Sequence, residues 1–158
     1  METRKIVKRV MAVMMVMTFM MIFSINSLAA TGNVTRKASS KMAVVLDPKE
    51  TLDSTSVAIT VSGLPETAVI TRMTVNTGTM TYNGAVYCNY LTISSSNGER
   101  EEITWTGKAN QTLTTSEFRT SLANGTYTLS FNATNGSSLN LGTKTYQPSI
   151  TIYWDDEF

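Results

Sequence analysis

The stretch "NYLTISSSNGEREEITWTG", Asn89 to Gly107, carries two half-buried strands and the turn between them. Leu91 and Ile93 alternate with polar neighbours, and Ile103 and Trp105 repeat the alternation further on. Alternation at period two marks a strand with one face toward a core. Asn97-Gly98 is the strongest short-range hairpin signal a sequence can hold, because tight hairpin turns demand positive φ. The run Glu99, Arg100, Glu101, Glu102 keeps the returning strand wet and discourages edge-to-edge pairing. The stretch reads as a structural hairpin before it reads as a site.

The same period extends in both directions. Val57, Ile59 and Val61 alternate with Ala58 and Thr60, and Gly63-Leu64-Pro65 ends that strand. "GLPETA", Gly63 to Ala68, resembles a sortase recognition pentapeptide, but it is internal and is explained by turn chemistry. Val69 to Val75 is β-branched and rich in threonine, a composition suited to a pleated surface. Thr114-Thr115-Ser116-Glu117 has the spacing of a capping box, and Phe118 and Leu122 would share a face, so one short helical turn is expected near 115–122. Tyr127, Leu129 and Phe131 mark another strand, "NGSSLNLGTKTYQ" a long polar connection, and Pro148 the opening of a last strand with Ile150, Ile152 and Trp154 inside. The expected fold is all-β: an antiparallel β-sandwich, jelly-roll-like, over residues 55–158.

Ahead of it, residues 31–54 read as a flexible leader in which Met42–Asp47 could form an edge strand. Residues 1–30 read as a signal peptide. Arg4, Lys5, Lys8 and Arg9 form a basic start, Val10 to Phe23 is uncharged and apolar, and Ser27-Leu28-Ala29 supplies small side chains for cleavage after Ala29 or Ala30. The alternative is a retained N-terminal anchor, which needs about 20 apolar residues; Ser24, Asn26 and Ser27 interrupt the run. Without a cysteine behind it, a lipid anchor is not supported. The expected location is therefore secreted or extracellular, off the membrane once cleaved. The leader suits a bacterium.

Removing that segment leaves nine of thirteen basic residues and eleven of twelve acidic ones, a net charge near −2. A nearly neutral domain lacks the electrostatic footprint of a nucleic-acid binder. Cys88 is the single cysteine, so an intrachain disulfide is excluded. A free cysteine is ordinarily a small buried hydrophobe, and that reading is preferred to a reactive thiol.

A family resemblance rests on two segments. "LTISSSNGE", Leu91 to Glu99, resembles the strand and Ser-Pro-x-Gly-Thr turn of the P domain, the jelly-roll module that follows the catalytic domain in subtilisin-like proprotein convertases. "FRTSLANGTYTLSFN", Phe118 to Asn132, is similar to the second signature of that family, a phenylalanine followed by Asn-Gly-Thr-Trp-Thr-Leu. Ser96 stands where the family has proline, Glu99 for threonine, Tyr127 for tryptophan and Asn132 for aspartate. The resemblance spans about residues 56–154 and implies a jelly roll that accompanies other proteins; the family's protease is absent, so no catalytic residue carries over.

The chain has no histidine. That removes Ser-His-Asp and Cys-His catalysis and every histidine-based zinc site. Carboxylate pairs remain, and Glu101 and Glu102 are adjacent on a strand and so point to opposite faces. No Asp-x-Asp-x-Asp-Gly calcium spacing occurs, so neither a metal nor another cofactor is expected. Trp105, Trp154 and Tyr127 keep register with core residues. Tyr90 and Tyr153 share faces with Thr92, Ser94, Ser149 and Thr151, which makes them the outward candidates for ligand contact. The expectation is a secreted, non-catalytic accessory or binding module acting on a surface glycan or protein. The alternatives are an assembly subunit that works by strand addition through Met42–Asp47 or the last strand, and a hydrolase built on Glu101 or Glu117.

Overall fold

The computed structural model describes residues 30–156. The expected signal peptide, but for its last residue, lies outside the described residues. Ten strands follow in chain order: β1 (Thr31–Lys37), β2 (Met42–Leu46), β3 (Thr51–Asp53), β4 (Val57–Val61), β5 (Val69–Asn83), β6 (Val86–Ser95), β7 (Arg100–Thr104), β8 (Thr112–Thr115), β9 (Gly125–Asn135) and β10 (Gly142–Asp155). They form two five-stranded antiparallel sheets. In the first sheet β10 has β1 and β2 on one side and β5 on the other, with β8 beyond β5. In the second, β9 has β3 and β4 on one side and β6 on the other, with β7 beyond β6.

These pairings are nested around one turn. β6 pairs with β7, β5 with β8, β9 with β3 and β4, and β10 with β1 and β2. The chain is one long hairpin rolled on itself, which is the jelly roll. Its tip is the Asn97-Gly98 turn. Gly98 takes φ +103° there, Ser95 N donates to Glu99 O at 2.9 Å, and Gly98 N to Ser95 O at 3.2 Å.

The two inner faces alternate as period-two burial requires. Leu91, Ile93, Tyr127, Leu129 and Phe131 of the second sheet, with Trp105 just past β7, form one core with Met73, Val75, Tyr146, Ile150 and Ile152 of the first. Tyr146 crosses the gap. Its ring centroid lies 4.5 Å from that of Trp105 and 5.2 Å from that of Phe131, both edge-on. Such pairs add about 0.5–1.5 kcal/mol each beyond area burial.

Four expectations change. The helical turn near 115–122 is absent, and there is no helix among the described residues. Thr112–Thr115 is strand β8 instead, followed by hydrogen-bonded turns. The donors a capping box would satisfy are met from another strand: Ser116 N and Glu117 N both point to Glu101 Oε2, at 3.3 and 3.5 Å. Thr120 takes φ +70°, which ends any helical path.

Residues 31–54, expected as a flexible leader with a possible edge strand at Met42–Asp47, do supply that strand as β2 (Met42–Leu46), but they also add β1 to the first sheet and β3 to the second. The polar composition of β1 misled because only Val34 packs against the core. The expected connection 135–147 is half strand, since β10 starts at Gly142. Pro148 lies within β10 rather than at its start, and the register shifts beside it, between Gln147 and Ser149. A bulge tolerates a residue that cannot donate to the ladder.

Candidate functional site

The two tyrosines singled out from sequence are on opposite sides of the molecule. Tyr90 stands on the outer face of the second sheet, in the rank Thr104, Tyr90, Asn132, Asp53. Tyr153 stands on the outer face of the first, with the Arg72 guanidinium 3.8 Å above its ring centroid. Both are half-buried. A sandwich about 10 Å between sheets separates them, so they do not form one site.

A different pair of rings is exposed at one end of the sandwich. Tyr82 is 66% and Tyr87 62% exposed, and they flank the short connection from β5 to β6 that crosses between the sheets. The adjoining loop from β9 to β10 adds Leu139 at 84% and Leu141 at 57%. Gly84 and Leu141 are in close approach, an ideal Cβ at Gly84 lying 3.0 Å from Leu141 O. Tyr87 covers Gly136 on that loop, where an added Cβ would stand 2.5 Å from its ring.

The end is stiff because one buried amide rivets it. Asn135 is fully buried at the end of β9. Its Nδ2 donates to Asn140 O at 2.9 Å and Asp47 O at 3.1 Å, and its Oδ1 accepts from Ser137 N at 2.9 Å. Lys49, in the turn between β2 and β3, donates from Nζ to Gly136 O at 2.7 Å and from its backbone N to Ser137 O at 3.0 Å. Gly136 N donates to Ala85 O at 2.7 Å. Three connections are thus tied together, and the exposed side chains sit on a backbone that need not be ordered on binding. Preorganisation of this kind lowers the entropy lost on association.

Sequence reading missed Tyr82 and Tyr87, although a signal was present. Tyr82 immediately precedes Asn83-Gly84, and Tyr87 alternates with buried Val86 and Cys88. Of the two carboxylates named for hydrolysis, Glu101 is engaged structurally, binding the two backbone donors of the β8 turn, one of them the N–H of Glu117. Glu99, at the hairpin tip, accepts from the hydroxyls of Ser95 and Ser121. Among the described residues no group of three or more His, Cys, Asp or Glu is placed to hold a metal ion, and no helix is long and apolar enough to cross a membrane.

No family model matches the chain, and no curated protein matches it. Similar solved structures include one described as a secreted protein from Eubacterium rectale, at TM-score 0.50 and 11% identity, covering 81% of this chain and 40% of that longer one. The crystal structure of FLHE aligns at TM-score 0.43 and 12% identity over 78% of this chain and 97% of its own. TmCBM61, solved with β-1,4-galactotriose, aligns at TM-score 0.37 and 11% identity over 78% and 88%. At 11% identity the likeness to the secreted protein, at TM-score 0.50, is one of fold alone.

Proposed function

We propose that this protein is a secreted, non-catalytic binding module of the extracellular space or cell surface, and that it holds a glycan at the end of the sandwich marked by Tyr82 and Tyr87. The two exposed tyrosines, on either side of one short connection between the sheets, carry the reading. Tyrosine offers a large, rigid, amphipathic contact at low conformational cost, and the flat ring suits the C–H face of a sugar while the exposed Asn83, next to Tyr82 in the chain, suits its hydroxyls. The sequence resemblance to the proprotein convertase P domain fits an accessory role for the same jelly roll. A protein ligand at this patch is the second form of the reading.

Assembly by strand addition fits the topology less well. β10 is hydrogen-bonded on both sides. The outer edge of β2 is taken in part by Thr55, whose N donates to Ala43 O at 2.8 Å and whose Oγ1 accepts from Ala43 N at 3.0 Å. Hydrolysis by Glu101 would require a carboxylate already used to hold the β8 turn.

Retention of the purified chain on cell-envelope polysaccharide, compared with surface-protein extracts, tests the reading. Retention on polysaccharide that the paired change Tyr82→Ala and Tyr87→Ala abolishes is the expected result. Retention on neither material overturns it.

A further inference from the structure

The interior holds one buried charged side chain among the described residues, Lys144, at 7% exposure. It reaches inward from β10 of the first sheet and donates from Nζ to Val86 O at 2.9 Å. Its polar contact is this backbone carbonyl, whereas the Arg100–Glu102 ion pair lies on the surface. A buried ammonium is costly unless it is compensated. Facing it from β6 of the second sheet is Cys88, at 8% exposure, with Sγ 3.6 Å from Tyr146 Oη. Gly107 lies between them with φ +77°, and an ideal Cβ there would stand 2.9 Å from both Cys88 Sγ and Lys144 Nζ. The single thiol and the buried amine therefore converge on one point, kept clear by a residue without a side chain.

We infer that Cys88 and Lys144 are poised to form a covalent sulfur–nitrogen cross-link between the two sheets when the protein meets a hydroperoxide. In the first step hydrogen peroxide oxidises the thiol: the O–O bond breaks, an S–O bond forms, and water leaves. In the second the amine, having released its ammonium proton to solvent, attacks the sulfur of the sulfenic acid. The S–N bond forms, the S–O bond breaks, and the hydroxyl departs as water with the proton given up by nitrogen. In sum one thiol, one amine and one hydrogen peroxide give one sulfenamide and two waters; sulfur loses two electrons and the peroxide gains them. Sulfenic acids condense with nitrogen in this way.

The surroundings favour the second step over the first. Burial pushes the Cys88 thiol up, against the opposing pull of Tyr146 and the Lys144 ammonium, so initial oxidation is slow. Once sulfenic acid forms, the amine beside it makes capture intramolecular, ahead of further oxidation. Both residues keep a small exposure where Tyr146 and Phe131 keep none. The product would staple sheet to sheet as a disulfide does, in a chain that has a single cysteine.

Hydrogen peroxide treatment of the purified full chain, followed by intact mass and peptide mapping without reductant, tests this. The expected result is a loss of two hydrogens, a linked peptide joining the segments of Cys88 and Lys144, reversal by a thiol reductant, and a melting midpoint raised by roughly 10 °C through loop closure. Lys144→Arg, which keeps the charge but not the reactive amine, should instead take up oxygen at Cys88. If that variant does not fold, the wild-type map decides alone. Oxygen gain at Cys88 in the wild type, a disulfide-linked dimer, or a thiol that stays unreacted until the chain is unfolded each overturns the proposal.

Discussion

Ser121 donates its hydroxyl to Glu99 Oε1 at 2.7 Å, tying the loop before β9 to the tip of the rolled hairpin. Ser95 donates to the other carboxylate oxygen of the same residue. These two hydrogen bonds, Ser95 first, hold the Glu99 carboxyl below its usual value of 4.5, against a smaller opposing effect of burial. A depressed folded-state pKa contributes stability that is present above the unfolded value and is lost as pH falls through the folded one. Thermal stability should therefore fall with acidification below about pH 4.5, and Glu99→Gln should flatten that limb while costing less than about 1 kcal/mol at neutral pH. Parallel curves for the two proteins would remove Glu99 from the account.

The same carboxylate acts on Tyr127. Burial, then the negative charge of Glu99, push the Tyr127 phenol up to about 12 from 10.0. Its hydroxyl donates to Ala123 O at 3.0 Å from a buried position. A raised folded-state pKa gives stability that is complete below the unfolded value and lost as pH rises through the folded one. Alkaline unfolding should accordingly set in between about pH 10 and 12. Tyr127→Phe should remove this tyrosine's share of the slope, and Glu99→Gln should let its tyrosinate absorbance appear at lower pH. An ultraviolet titration of the folded protein in which Tyr127 ionises like a free tyrosine would contradict both.

The rolled hairpin was legible because its tip and its core use strong local signals. Leu91, Ile93, Trp105, Tyr127, Leu129, Phe131, Ile150 and Ile152 alternate as expected, and each is at least 99% buried. Three kinds of segment were not legible, each for a physical reason. Inward positions of β10 carry Gly142, Lys144 and Tyr146, so half a strand reads as polar loop. β1 is held by backbone pairing to β10, which leaves no apolar pattern. The Thr114–Glu117 spacing suits a cap, but the capping acceptor, Glu101, is distant in sequence. The candidate site was legible only in part: Tyr82 and Tyr87 carry a local signal, but the approach of the 136–141 loop to Gly84 and Tyr87 comes from residues distant in sequence.

Two glycines with positive φ separate strain from collision. Gly98, at φ +103°, has nothing within 4 Å of an added Cβ. Gly78, at φ +69°, would place that Cβ 1.9 Å from Gln147 O, beside the β10 bulge. Gly98→Ala should cost about 1–3 kcal/mol, the backbone term alone. Gly78→Ala adds a clash with main chain that side-chain motion cannot relieve, so its cost should exceed about 3 kcal/mol and approach the whole stability of the domain. Urea unfolding midpoints measure both. Equal losses would mean that the strands part at Gly78 more readily than their pairing implies.

The rivet beneath the exposed tyrosines can be separated from the tyrosines themselves. Asn135→Ala removes the partner of the carbonyls of Leu46, Asp47 and Asn140 and of the N–H of Ser137, of which the Leu46 carbonyl is in a buried contact. Leaving such groups unpaired costs about 1–3 kcal/mol each where water cannot reach them. The expected result is a lower unfolding midpoint and faster amide exchange at 136–141, with polysaccharide affinity weakened because the loop must then be ordered on binding. Tyr82→Ala and Tyr87→Ala should do the reverse: stability should stay within about 0.5 kcal/mol for an exposed side chain, with affinity reduced by more than about 1 kcal/mol apiece. Affinity that tracks stability across all three variants would place the ligand elsewhere on the sandwich.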